Sequence, residues 1–548
     1  MAAPPDLARP TGLILVSLVV VAAVLPPETS GASYAGCALL VALAAILASA
    51  SGRLPAAAGA GLVALPALAL LGRFALAPGA AVEPIVLAIL ALAAGTAARA
   101  ARRDRLAGDL ALALAATGAL VAARACYDAL WGLDAMAARV RAEAATIPDA
   151  AAIAGRLAQG RAYAGHVTPA AAGTWIVLAM CATAGLAAAA HGRRRMVAVA
   201  ALAVQSAGLL ATRSLTAAGA LLAATLLAGA LMRSRRLLAP AAVLIVVVAA
   251  VAALRTGLGL APSSDDNPWR LRAGNVRIGL AMTGDHPWLG VGPGGFAEEF
   301  PSYRRAGDNE SRHAHCLPVE MTAELGALPG LGASILFFVA FLGPIVSRRV
   351  AGPVERGLAV GLAAFAIHNL ADFTAYLPSL LFLACTLRGV LGPPVGPTVP
   401  SRSVRIGWAM AVAACAAIAC AAGLSESAIA QARRSALEGD AATAAAAAGR
   451  AVRLAPWSTD AALLHSQCLA SDPVSALAEA DRAVRWAPRR AAAHDVRGRL
   501  RAQLGDVPGA YADFARAAAL HPLRAEYADH AAQAAAALPR PPAEPSPR

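Results

Sequence analysis

The sequence predicts an all-α, polytopic membrane protein with about 12–13 transmembrane helices and a C-terminal helical-repeat domain. Three observations predict it. Of 548 residues, 58% are hydrophobic, and the mean hydropathy of +0.60 is more than a soluble globule carries. Apolar runs long enough to cross about 30 Å of hydrocarbon recur between residues 11 and 424. Beyond Leu424 the chain turns amphipathic, and its prolines return at intervals of 32 and 34 residues (456 to 488, 488 to 522).

The apolar runs lie near 11–26, 33–51, 54–72, 82–98, 106–124, 170–190, 196–212, 214–232, 237–254, 327–346, 356–372, 375–391 and 405–424. The first has the length of a signal peptide, but Pro26-Pro27-Glu28 is unsuited to cleavage, so it reads as a retained span. Alanine and leucine dominate and aromatics are only 4%, so the spans should pack closely through small residues. The eight cysteines show no metal-ligand spacing and read as small core residues. There is no lysine; all 47 basic residues are arginines, the usage expected of a GC-rich coding sequence.

The net charge of +14 does not mark a nucleic-acid binder, because the arginines sit in short clusters between apolar runs. With the N-terminus in the cytoplasm, Arg9, Arg53, Arg99, Arg102, Arg103, Arg105, Arg193–Arg195, Arg233, Arg235, Arg236, Arg348, Arg349, Arg356, Arg388, Arg402 and Arg405 all fall inside. Short loops on the other side hold little beyond Arg73 and Arg213. That asymmetry predicts a multi-pass membrane protein with its N-terminus in the cytoplasm. The loops near 125–169 and 255–325 and everything after Leu424 would then face outward, on the periplasmic or extracytoplasmic side.

The predicted organisation is a transmembrane domain over 1–424, a repeat domain over 425–538 and a proline-rich disordered end over 539–548. The phrases closing at Pro456, Pro488 and Pro522 are similar to one another, and Gly439-Asp440 and Gly505-Asp506 fit turns within a repeat. The spacing approaches the 34-residue tetratricopeptide (TPR) period. It implies about three repeats, a closing helix near 523–538 and a concave face for a protein partner. A tail of this kind is expected to be removable without unfolding the membrane part.

Chemistry concentrates in the polar stretch Asn267–Gly330, which interrupts the apolar sequence with several arginines, three histidines and the glycine-dense turn Gly290–Gly295. A charged loop between spans is costly to keep near a bilayer unless it holds or moves something polar. Guanidinium forks at the membrane surface can hold a diphosphate bidentately as charge develops on it. Arg213 and Arg272 suit that role, with Arg161 behind them and Arg270 and Arg277 on the same loop helix as Arg272. An acceptor hydroxyl needs a base, which His315 can supply, with His313 as its support. Glu324, one helical turn after Glu320, reads as fixing the end of the loop. The glycines at 290, 292, 294 and 295 permit a sharp reversal of the chain, the alternative being a phosphate cradle. No cofactor or metal is expected, since arginines can neutralise the phosphates.

The ordered set of motifs resembles the O-antigen ligase / O-antigen polymerase superfamily of bacterial membrane glycosyltransferases. Asp285-His286-Pro287-Trp288-Leu289-Gly290-Val291-Gly292-Pro293-Gly294-Gly295-Phe296 is similar to that family's hP-x-x-G-x-G-x-x-x-F stretch. Arg272 stands where the family opens its loop helix with an arginine. His313-Ala314-His315 with Glu324-Leu325-Gly326 resembles its H-x-H-N … E-x-G signature. Thr212-Arg213-Ser214 resembles an arginine at the outer end of an earlier span, and Gly160-Arg161 with Gly165–Pro169 a preceding loop. His368 and Asp372 look like a late-helix pattern of members with TPR tails. The likeness covers roughly residues 150–390. It departs at Cys316, where the family has Asn, and at Pro329, where a glycine is expected one place before Gly330.

The resemblance implies a metal-independent, inverting transfer of glycan from an undecaprenyl-diphosphate-linked donor to a lipid, protein or glycan acceptor. Catalysis would fall to His315, Arg213 and Arg272, and substrate binding to Arg161, His313, Arg270, Arg277 and Glu324. Membrane lipids and a protein docked on the tail are the other expected partners. Two rival classes are an export or flippase protein without chemistry, and a scaffold that recruits partners through its repeats. A transporter should show paired charges in mid-span, and these runs hold little beyond Glu83 and Asp109.

Overall fold

The computed structural model describes residues 7–26, 30–51, 75–102, 105–142, 150–232, 268–347, 352–393 and 400–538, with 245, 246, 248, 249, 252 and 350 between them. The expected span 54–72, nearly all of 237–254, the loop residues 255–267, the end 539–548 and Arg53, Arg73, Arg103, Arg233, Arg235, Arg236, Arg348 and Arg349 lie outside the described residues.

Each of the other eleven expected spans coincides with a helix. In chain order these begin with α1 (Ala8–Val24), α2 (Gly31–Ala50), α3 (Pro78–Ala100) and α4 (Leu106–Tyr127), which passes through one π-turn into α5 (Leu133–Ala142). After the short α6 (Ala150–Ala158) come α7 (Pro169–Ala189), α8 (Gly192–Thr212) and α9 (Leu215–Leu231). The polar stretch forms α10 (Pro268–Asp285), α11 (Gly295–Tyr303) and α12 (Leu317–Leu325). The bundle resumes with α13 (Ala327–Val346), α14 (Pro353–His368), α15 (Pro378–Val390) and α16 (Arg402–Leu437). Seven of the described helices are long and apolar enough to cross a membrane, α16 among them; α1, α9 and α15 are shorter and apolar. No strand occurs among the described residues.

Small residues let the helices approach closely, as the composition predicts. A Cβ on Gly31 of α2 would fall 2.0 Å from the Gly423 carbonyl oxygen of α16, and one on Gly389 of α15 would fall 2.1 Å from that of Gly95 in α3. Larger side chains at these crossings would push the backbones apart.

The two ends of the bundle differ. At one, arginines cap carbonyls: Arg99 donates to Pro393 (2.9 Å), Arg102 to Gly392, Arg388 to Ala340 (2.6 Å) and Arg405 to Ser49 (3.3 Å). At the other end the loop after α4, the helices α10–α12 and the C-terminal region meet. Ala162 N donates to Ala211 O (3.1 Å), Arg272 reaches Asp372, and Ser302 Oγ donates to Leu520 O (3.0 Å).

The C-terminal region continues with α17 (Ala441–Leu454), α18 (Thr459–Cys468), α19 (Pro473–Trp486), α20 (Ala491–Gln503), α21 (Val507–Leu520) and α22 (Ala525–Ala536). Side chains of Asp440, Ser458, Asp472 and Asp506 cap α17, α18, α19 and α21 by accepting from the third residue along. The helices pair as the end of α16 with α17, α18 with α19 and α20 with α21, and α22 closes the stack. Asp513 of α21, buried, accepts from Arg497 and Arg501 and faces His494 (3.2 Å), all three from α20. Helix α16 runs without a break from the bundle into the C-terminal region, so Leu424 falls inside one 36-residue helix.

Candidate active site

The polar stretch is a folded unit with its own core. Ile278 and Met282 of α10, Val291, Phe296 and Phe300 around α11, Ala314, and Ala323 of α12 pack together. The glycine turn wraps the end of α12: Val291 N donates to Ala323 O and Gly292 N to Glu324 O, each at 2.9 Å. Gly290, with φ of 65°, lies so close that a Cβ would sit 2.3 Å from the Glu324 carbonyl carbon. The glycines there serve a reversal packed on α12, the first of the two alternatives. Gly330 meets the α12 backbone in the same way, its Cβ position 2.3 Å from Met321 O, so the close approach is made one place after Pro329.

Asp372, 1% exposed just beyond the end of α14, is the hub of the site. Its carboxylate receives Arg272 of α10 at 3.3 Å, lies 3.6 Å from His315 Nδ1 and 3.9 Å from His368 Nε2. Burying a carboxylate is tolerated when such groups surround it. His368 is fixed in turn by hydroxyls: Thr174 (3.1 Å) and Thr374 (3.3 Å) at Nδ1, and Thr216 (3.0 Å) at Nε2. His315 has φ of 55°, an uncommon backbone conformation for a non-glycine residue. Its Nδ1 is enclosed and makes no hydrogen bond; Asp372, just beyond bonding reach, is the carboxylate facing it.

His313 has a separate carboxylate. Its Nδ1 lies 2.7 Å from Glu320, which is 1% exposed and also accepts from Ala314 N at 2.9 Å. Phe373 joins the two histidines, stacking on His313 at 4.2 Å and meeting His315 edge-on at 4.9 Å. Glu324 accepts from Tyr376 (3.3 Å) and from the Gly294 and Phe296 amides. Burial, and then the charge of Glu320, push its carboxyl up to about 8.

Thus His315, Arg272, His313 and Glu324 gather around one segment of the unit. Arg277 pairs with Asp308 of the same loop, and the Arg270 guanidinium lies near Gly307, so both line the face of α10 turned to residues 304–310. Arg213 and Arg161 form a second corner. Arg213, at φ of 49° in the α8–α9 turn, donates to Gln159 O (3.0 Å) over Gly160, while Arg161 is held there by the Ala162–Ala211 hydrogen bond. The corner connects to the hub through Ser214 and Thr216: their hydroxyls are 3.3 Å apart, and Thr216 holds His368.

Asp372 and His368 enter the sequence reading only as a pattern, with no role, and Glu320 only as the helical neighbour of Glu324. The four-residue spacing of His368 and Asp372 at the end of an apolar run was the available signal. Phe373, Thr174 and Thr216 carried none. Cys316 occupies the N-cap of α12 without a side-chain capping hydrogen bond, and burial pushes its thiol up, leaving it a protonated, weak acceptor.

Fold and site together define a multi-pass helical membrane protein with a folded, charge-bearing unit at one end of its bundle. The sequence profile described as O-Antigen ligase matches residues 198–335, from within α8 through the histidine segment into α13. Over those residues the chain is similar to the O-antigen ligase family. The match includes Arg213, Arg270, Arg272, Arg277, His313, His315 and Glu324; Arg161, His368 and Asp372 lie outside it. No curated protein matches the chain.

Proposed function

We propose that the protein transfers a glycan from an undecaprenyl-diphosphate carrier to a hydroxyl of a lipid, a protein or another glycan, inverting the anomeric centre in one displacement. The observation that carries this is the buried Asp372 carboxylate, which joins Arg272 and His315 from separate parts of the chain. Donation from His315 Nδ1 to Asp372 requires closing their gap by a few tenths of an ångström, and leaves Nε2 as the base. The acceptor oxygen attacks the anomeric carbon as its proton passes to Nε2. The bond from that carbon to the diphosphate oxygen breaks, and the lipid diphosphate leaves. Arg272, using the donors that Asp372 does not occupy, and Arg213 neutralise the departing charge.

The site, in this reading, faces the extracytoplasmic side of the inner membrane and the N-terminus the cytoplasm. Arg99, Arg102, Arg388 and Arg405, gathered at the opposite end of the bundle, support that orientation. The C-terminal helix pairs act as TPR-like repeats beside the site. The deciding experiment incubates the purified chain with a lipid-diphosphate oligosaccharide and a panel of lipid, peptide and glycan acceptors, without added metal. Stereochemically inverted product, lost in His315→Ala, is expected. Release of free lipid diphosphate or new linkage by neither wild type nor any acceptor combination would overturn the reading.

A further inference from the structure

Helix α11, inside the site unit, is gripped by the C-terminal region. Glu299, fully buried on α11, pairs with Arg489 and is also within the field of Arg516. Its neighbour Glu298 faces Arg490 at 3.8 Å, and Arg490 is itself paired with Asp460 of α18. Ser302 donates to Leu520 O at the end of α21. These contacts draw on the segment that closes α19 and on the end of α21, so α11 touches the stack at two places rather than at one exposed loop. The backbone of α3 meets the same stack, where Gly79 leaves only 2.6 Å between a would-be Cβ and Trp457 O.

The grip extends to the histidines by two routes. Phe296 and Phe300 of α11 share the unit's core with Ala314, between the two histidines. Arg312, immediately before His313, lies within electrostatic range of Glu298 of α11, Glu83 of α3 and Glu426 of α16. A paired, buried carboxylate resists displacement strongly, since moving it away from its arginine leaves a charge without compensation. Continuity of α16 gives the stack no hinge at the bundle, so it can serve as a fixed wall.

We propose that the C-terminal region acts in cis as a clamp on the site unit, with Arg489 and Arg490 as positioning residues that hold α11 and, through it, the His313–His315 segment. The proposal stands on geometry; only its turnover arm rests on the glycosyl-transfer reading. It also makes the repeats part of the working enzyme, beyond any partner they recruit.

The test uses the full chain in detergent or nanodiscs, comparing Arg489→Gln, Glu299→Gln, the double variant and Arg489→Lys. Backbone hydrogen exchange is followed over residues 295–316 and over α20–α21. About tenfold faster exchange is expected in 295–316 for each Gln variant, with α20–α21 unchanged, no further increase in the double variant, and partial rescue by Lys. Turnover should fall about tenfold with donor KM within twofold, because the base is displaced while the diphosphate arginines stay. Unchanged exchange over 295–316 in folded Arg489→Gln would overturn the clamp. Faster exchange spread equally over α20–α21 would also overturn it, by showing a role in repeat stability alone. A wild type without transfer activity defeats the catalytic reading, but the exchange data still decide the clamp.

Discussion

Asp372→Asn is the sharpest perturbation of the hub, because it removes one charge and almost no volume. Asn presents an amide that cannot reproduce a carboxylate facing Arg272 at 3.3 Å, His315 at 3.6 Å and His368 at 3.9 Å. A hydrogen bond to a charged group is worth about 1.5–3 kcal/mol. The Arg272 contact is long, so the lower half of that range applies, which is about one decade in rate at 1.36 kcal/mol per decade. Loss of the group that orients His315 should cost about one to two decades more. Turnover is therefore expected to fall about 10²–10³-fold. Separately, breaking a buried pair costs about 3–5 kcal/mol of stability, so thermal unfolding must be measured beside turnover. Pairing Asp372→Asn with Arg272→Gln isolates the coupling: the double variant should resemble the worse single one, not the product of both. Folded Asp372→Asn with turnover within threefold of wild type would refute the hub as the organiser of the site.

His315→Ala should lower turnover by about two to four orders of magnitude with donor affinity nearly intact, and His313→Ala, whose ring is tied to Glu320, should be milder. Arg213→Ala should weaken both donor affinity and turnover, and Arg213→Lys should restore only part; equal effects on both histidine variants and none at Arg213 would contradict this division. Glu324 makes the unit pH-sensitive: its folded value of about 8 lies above the ordinary 4.5. The stability it contributes is thus fully present below pH 4.5 and is lost as pH rises through about 8. Unfolding scans between pH 5 and 9 should show that slope, flattened in Glu324→Gln. Cys316→Asn should add about 0.5–1 kcal/mol by accepting from the Val319 amide, which the thiol already faces, read as slower exchange of that amide.

The helical bundle was legible because each span must satisfy its own backbone in lipid, so an apolar run of sufficient length has few alternatives to a helix. The site was legible in its donors and only partly in its organiser. Arginines and histidines in a polar interruption stand out against the apolar sequence. Asp372 does not, since one acid at the end of an apolar run looks like a loop residue until Arg272, 100 positions earlier in the chain, is seen to reach it. Arg161 and Arg213 stand out as donors too, but the way their corner is held does not. It depends on Ala162 bonding to Ala211 across two helices, a pairing that residue types alone do not encode.

Composition misleads most at Leu424. The change from apolar to amphipathic sequence there records a change of surroundings, from lipid to water, and says nothing about a break in the backbone. Residues 411–437 are rich in alanine, the best helix former, and hold no proline and only one glycine, Gly423. The helix therefore has no local reason to stop, and that one glycine is taken up by the close crossing with Gly31. Past the boundary, Ser425 Oγ donates to Ala451 O and Ile429 packs with Ala451 and Val452, so the same helix that ends the bundle forms the first wall of the C-terminal helix stack. Cutting at 424 would remove half of a helix pair and, with it, the arginines that hold α11. A tail read as a detachable module is, in the folded chain, continuous with the bundle at its base and bonded to α11 through Arg489, Arg490 and Leu520.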